Sequence, residues 1–200
     1  MRKRELEIAL EGLERVPSPD RGSEQYFTPS SLAAEIVFNA HLLGDVDGKV
    51  MADFGCGNGI LGIAALMLGA SFCHFLDISP AAAEVTLRNL RRLGLPGRVL
   101  RCDVEEFNER VDTVIQNPPF GAQRRHADLP FLKKALEVAD VVYTIHNAVT
   151  EEFIKRKVME FGAEVTHLWR RKFPIPRMYS HHRKERVLVE VVVLRAERSG

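Results

Sequence analysis

Residues 50–59 read Val50-Met51-Ala52-Asp53-Phe54-Gly55-Cys56-Gly57-Asn58-Gly59, and 60–70 continue Ile60-Leu61-Gly62-Ile63-Ala64-Ala65-Leu66-Met67-Leu68-Gly69-Ala70. An apolar run ends beside an acid, a Gly-x-Gly-x-Gly turn follows, and an Ala/Leu-rich helical stretch comes next. The glycines allow positive φ and remove side chains, so a ligand can approach the backbone closely. No Gly-Lys-Ser/Thr follows, so this is not a nucleoside-triphosphate loop of the Walker type. Counted from Gly55, the spacing also departs from the dinucleotide pattern Gly-x-Gly-x-x-Gly, because the third glycine comes one residue early.

Outward from this turn, strand and helix patterns alternate. Strands are predicted at 49–54, 72–76, 98–102, 111–116, 140–145, 163–172 and 186–195, and helices at 2–14, 29–43, 59–69, 80–93, 130–138 and 150–161. Such alternation predicts an α/β fold, a mostly parallel seven-stranded sheet with helices on both faces. No helical pattern separates the last two strands, so the last strand should run antiparallel. The 200 residues suit one domain. Within it, 1–23 form an N-terminal helix and a Pro/Ser/Gly-rich linker, and 170–186 form a basic loop between the last two strands.

The ends of the predicted strands carry the candidate chemistry, because ligands in open α/β sheets bind beyond the carboxyl ends of the strands. Asp53 ends the first strand beside the turn. Asp77, with Ile78 after it, closes the second, where an acid binds ribose hydroxyls. Asp103 follows the third and could accept a hydrogen bond from an adenine amine, with the Val104 backbone beside it. Val111 to Gln116 is followed by Asn117-Pro118-Pro119-Phe120. Two prolines cannot continue a central ladder. The tetrapeptide therefore sets an amide, two carbonyls and an aromatic ring at a strand end. The Asn117 side-chain oxygen and the Pro118 carbonyl could accept hydrogen bonds from a planar amine, making its nitrogen more pyramidal and nucleophilic. Phe120 could stack on the ring carrying that amine. One strand-end Asp is commonly a turn former or helix cap; three in series followed by this tetrapeptide point to a site.

The net charge of +1 hides an asymmetry. Residues 170–186 hold Arg170, Arg171, Lys172, Arg177, Arg183, Lys184 and Arg186 against Glu185 alone, a local balance of +6. Tyr179, His181 and His182 lie among them. Basic residues interleaved with aromatics suit phosphate contact and base stacking. Neighbouring histidines point apart and make a poor metal pair. Cys56, Cys73 and Cys102 are far apart, with no Cys-x-x-Cys, which suggests buried thiols instead of a zinc site or disulfide framework. The start of the chain lacks the apolar run of a secretory signal, and no apolar stretch approaches the ~20 residues of a membrane span. A cytoplasmic protein is expected.

These residues carry a resemblance. Asp53-x-Gly-x-Gly-x-Gly, Asp77, Asp103-Val104 and Asn117-Pro118-Pro119-Phe120, in that order, resemble the class I S-adenosylmethionine-dependent amino-methyltransferases. Glu24 to Pro29, Asp112 to Gly121, Asp128 through Lys133 and Tyr143 to His146 are similar to the methyltransferase-like protein 5 family, archaeal and eukaryotic N6-adenosine methyltransferases of small-subunit rRNA. The likeness spans about residues 20 to 195.

It implies a Rossmann-like methyltransferase with S-adenosyl-L-methionine as cofactor. Implied cofactor contacts are Gln25, Tyr26, Thr28, Asp53, Gly55, Gly57, Asn58, Gly59, Asp77, Ile78, Asp103, Val104 and Asn117, with Asn117 to Phe120 gripping the acceptor amine. Small-subunit rRNA is the implied partner, and a small zinc-binding activator subunit of the eukaryotic members is possible here, giving a monomer or a heterodimer. Guanine-N2 rRNA methylation and glutamine-N5 methylation of release factors use the same tetrapeptide and stay open, as does a non-catalytic RNA-binding scaffold.

Overall fold

A computed structural model describes residues 1–17, 27–119, 126–175 and 187–198. The predicted contacts at Gln25, Tyr26, Phe120, Arg177, Tyr179, His181, His182, Arg183, Lys184 and Arg186 lie outside the described residues.

The elements run α1 (Lys3–Glu11), α2 (Ser30–Leu42), β1 (Val50–Phe54), α3 (Ile60–Met67), β2 (Phe72–Leu76), α4 (Pro80–Leu93), β3 (Gly97–Leu100), β4 (Val111–Gln116), α5 (Leu129–Val138), β5 (Ala139–Asn147), α6 (Glu151–Glu160), β6 (Ala163–Ile175) and β7 (Val187–Arg198). The sheet has seven strands in the order β3-β2-β1-β4-β5-β7-β6. β1, β2, β3, β4 and β5 pair in parallel, and β7 runs antiparallel to both its neighbours. The fold is thus a single Rossmann-like α/β domain. Its strand order reverses between β1 and β4, where such sheets open a crevice.

Alternation along the strands divides the core between the two faces. Met51, Cys73, Phe75, Ile115, Tyr143 and Val193 pack with α1, α2 and α3. Ala52, Phe54, Leu76, Val114, Val142 and Leu194 pack with α5 and α6. α4 shows why its sequence is a helix with sharp ends. Ser79 accepts from Ala82 N–H at 3.3 Å, Pro80 sits in the first turn, and Gly94 closes the helix at φ 62°. Beyond the sheet ladder, the Val50 N–H donates to Asp112 Oδ2 at 2.7 Å, which ties the start of β1 to β4.

Three expectations need correction. The third strand ends at Leu100 rather than 102, so Arg101 and Cys102 belong to the loop beyond it. Cys102 is accordingly half-buried, whereas Cys56 and Cys73 are buried as expected. Residues 170–172 fall in both the predicted strand 163–172 and the predicted loop 170–186, and the structure places them on the strand. β6 continues to Ile175, so Arg170, Arg171 and Lys172 sit on a strand, paired with Val192, Val191 and Glu190 of β7. The ladder with β7 carries the strand three residues past the predicted end at 172.

Candidate active site

A cavity of about 290 Å³ opens where β1 and β4 diverge, at the carboxyl ends of the parallel strands. Four successive strand ends contribute to it: Asp53 within the last two residues of β1, Asp77 after β2, Asp103 and Val104 after β3, and Asn117-Pro118-Pro119 after β4. Gly55, Gly57, Asn58 and Ile78 line it as well. Phe27 and Thr28 reach it from the segment before α2, and Phe131 from α5. Gly59, the residue before α3, is not part of this lining.

The acids are held in different ways. Asp77 is buried, with one carboxylate oxygen accepting from Gly57 N–H and the other from Ser79 N–H, each at 2.9 Å. Burial raises its pKa, and these backbone bonds oppose the rise. The carboxylate is therefore fixed at the wall, with lone pairs left for hydroxyl donors. Asp53 is almost wholly buried and accepts from Gly62 N–H at 2.8 Å, satisfying a donor of the first turn of α3. Burial pushes its pKa up to about 7; the Gly62 bond lowers it and the nearby Asp77 charge raises it. Asp103 is exposed and accepts from Glu105 N–H at 2.9 Å, capping a short 3₁₀ turn at Val104–Glu106. It is thus both a cap and a cavity residue.

The turn depends on its glycines. Gly55, Gly57 and Gly59 have φ of 67°, 57° and 82°, a region most side chains avoid. Gly62 is required for another reason, one that the reading from Gly55 missed. A Cβ there would lie 2.4 Å from the Phe75 ring and 2.8 Å from Cys73 Sγ. Counted from Gly57, the stretch Gly57-x-Gly59-x-x-Gly62 does match the dinucleotide spacing, and its last glycine lets α3 press against β2.

Asn117 is half-buried, and its Nδ2 donates to Thr28 Oγ1 at 3.0 Å. In this arrangement the Nδ2 arm of the amide faces Thr28 and the Oδ1 arm is turned the other way. Thr28 is 89 residues away in sequence, and it was visible only through the resemblance. Phe131 was likewise visible only as part of a resemblance.

The remaining described candidates lie on β6 and are ion-paired. Arg170 makes a two-pronged pair with Glu151 at 2.7 and 2.8 Å. Arg171 pairs with Glu35, and Lys172 lies 3.8 Å from Glu190. Among the described residues, no His/Cys/Asp/Glu group could hold a metal ion, and no helix is long and apolar enough to cross a membrane.

The cavity suits S-adenosylmethionine. Glycine backbone offers close approach, Asp77 is a fixed carboxylate acceptor, and Asp103 places a second carboxylate at the wall. Ile60, Leu61, Ile78, Val104 and Phe131 give apolar surface for a planar base. Strand order and site together define a class I methyltransferase with S-adenosylmethionine as its cofactor. The family described as methyltransferase small domain matches residues 33–142, and the chain belongs to it. It is 38% identical to an uncharacterized protein of Methanocaldococcus jannaschii, over 100% of this chain and 96% of that one. It is 31% identical to the rRNA N(6)-adenosine-methyltransferase METTL5 of Danio rerio, over 98% of each. A solved structure of a proposed RNA methyltransferase from Pyrococcus horikoshii is similar at a TM-score of 0.92 and 44% identity, over 99% of this chain and 98% of that one.

Proposed function

We propose that this protein methylates the exocyclic N6 amine of an adenosine in small-subunit rRNA. One observation carries the reading: Asn117 and its two prolines end β4 at the same cavity that Asp77 and Asp103 line. The acceptor grip and the cofactor contacts therefore share one wall. Similarity to METTL5 along almost the whole chain supports RNA as the substrate class.

Bound in the cavity, S-adenosylmethionine supplies an electrophilic methyl group. Asp77 would hold its ribose hydroxyls, and Asp103 with the Val104 backbone its adenine. The residues at the end of β4 act on the acceptor. Asn117 Oδ1 and the Pro118 carbonyl accept the two N–H bonds of the amine, drawing its lone pair out of conjugation and aiming it at the cavity. The prolines keep this grip rigid, and rigidity matters because the main contribution is in-line placement. Asn117 positions the amine without removing a proton. The nitrogen becomes acidic once it forms its new bond, so water can take the proton. An adenine inside a duplex could not reach this depth, so the target base must be unpaired or flipped. Arg177, Arg183, Lys184 and Arg186 supply cations for the RNA backbone.

The test is incubation of the purified protein with isotopically labelled S-adenosylmethionine and unmodified small-subunit rRNA, followed by nucleoside mass spectrometry. The expected product is labelled N6-methyladenosine. Label in N2-methylguanosine, label only in a release factor, or no label in the RNA contradicts the proposal.

A further inference from the structure

The glycine turn is supported from behind by two polar side chains that neither its motif nor its spacing announces. Thr86 and Asn89 lie three apart on α4, so they share one face of that helix. Both are completely buried. Thr86 Oγ1 donates to the Gly57 carbonyl at 2.9 Å. Asn89 Nδ2 donates to the Asn58 carbonyl at 3.1 Å. Two successive carbonyls of the turn are thus drawn towards the same helix. Because each peptide unit is planar and trans, fixing the Gly57 C=O on the α4 side directs the Asn58 N–H the opposite way. The neighbouring N–H groups already have partners: Gly57 donates to Asp77 Oδ2 at 2.9 Å and Gly59 to the Cys56 carbonyl at 2.8 Å.

The surroundings explain why these two positions carry polar groups. Cys56 Sγ lies 3.7 Å from Thr86 Oγ1. Burial pushes the Cys56 thiol up, which keeps it a protonated donor. The Thr86 hydroxyl can then accept from Cys56 and spend its own proton on Gly57. The turn also sits hard against this residue, since a Cβ at Gly59 would lie 2.9 Å from Thr86 Cγ2. Asn89 holds a second strand of chain in place. Its Oδ1 accepts from Glu14 N–H at 2.9 Å, and its Nδ2 also donates to the Glu14 carbonyl at 3.1 Å. Asn58 Nδ2 donates to that same carbonyl at 3.2 Å. Without the two α4 donors, the Gly57 and Asn58 carbonyls would lack these buried partners, and the peptides between left-handed glycines could rotate to find others.

We propose that Thr86 and Asn89 are positioning residues for the cofactor: they fix the peptide orientation of the Gly57–Gly59 turn that S-adenosylmethionine meets. The inference rests on the cofactor and not on the RNA substrate.

Titration calorimetry of S-adenosylmethionine into the full-length protein, with no RNA present, tests it. Thr86→Val keeps the shape and removes the hydroxyl; it should bind about tenfold more weakly, about 1.4 kcal/mol. Thr86→Ser restores the donor and should return affinity to within about twofold of the unaltered protein. Asn89→Ala should weaken binding by a similar factor, and it carries the test if Thr86→Val does not fold. Thermal melts of the cofactor-free variants separate the alternatives. A lowered melting temperature with unchanged affinity would make the pair merely structural and overturn the proposal, as would a Thr86→Ser variant as weak as Thr86→Val. Failure of the unaltered protein to bind S-adenosylmethionine would instead overturn the cofactor assignment itself.

Discussion

The two sides of the cavity are built by opposite strategies. On the β1–β2 side, the turn is fixed by many short bonds before any ligand arrives: Asp77 holds Gly57 and Ser79, Asp53 holds Gly62, and α4 holds two carbonyls. On the β4 side, the proposed function assigns the acceptor to Asn117 and two prolines, with Thr28 hydrogen-bonded to the amide. The difference matches the tasks. A cofactor has one shape and rewards a rigid cradle, whereas the acceptor of the proposed reaction must enter, present one amine and leave. Preorganisation is spread over many residues on the first side and rests on few on the second.

The cradle carries a cost that pH should expose. Burial, reinforced by Asp77 and opposed by the Gly62 bond, keeps Asp53 protonated to about pH 7, against an ordinary value of 3.8. Below about pH 4 both folded and unfolded chains hold the proton, and Asp53 contributes no pH dependence. Between there and about pH 7 the unfolded chain releases it while the folded chain keeps it, so stability falls as pH rises, by at most ~4 kcal/mol. Asp53→Asn keeps an acceptor for Gly62. Thermal melts of the cofactor-free protein should therefore show a flatter decline over this window, and an unchanged slope would break the account of Asp53.

A smaller effect is expected at Asp77. Asp77→Ala removes a buried charged acceptor and the bond that orients Gly57, so S-adenosylmethionine should bind about ten- to hundredfold more weakly by calorimetry. Affinity within twofold would mean that the cradle does not depend on its second acid.

The smallest effect concerns β6. Arg170 and Arg171 already have carboxylate partners, so replacing both with alanine should change RNA affinity less than about threefold and leave the salt dependence nearly intact. Replacing Arg177, Arg183, Lys184 and Arg186 should weaken binding further and flatten the salt slope. The reverse ranking, read by binding titrations at several salt concentrations, would return the RNA contact to the strand.

Legibility in the sequence follows the same division. Strand ends and the glycine turn are local in the chain, so alternation and spacing revealed the sheet, its antiparallel end and the approximate position of the cavity. The supports are not local. Thr86 and Asn89 read as ordinary helix residues, because nothing near them in sequence says which carbonyls they face. Thr28 meets Asn117 across 89 residues. Gly62 was written in the sequence but hidden by counting from Gly55, since its purpose is the fit of α3 against Phe75 and Cys73. The charge excess at 170–186 was legible as composition, yet the acids that pair with Arg170 and Arg171 come from α6 and α2.

The division of labour between the two sides is tested most directly by Asn117→Ala, measured twice on one preparation: calorimetric titration with S-adenosylmethionine, and single-turnover methylation of small-subunit rRNA. The predicted result is cofactor affinity within about threefold of the unaltered protein and a rate reduced at least about a hundredfold, because a contact made only as the amine reacts has been removed. A variant that methylates at the unaltered rate, or that loses cofactor and turnover together, would contradict it.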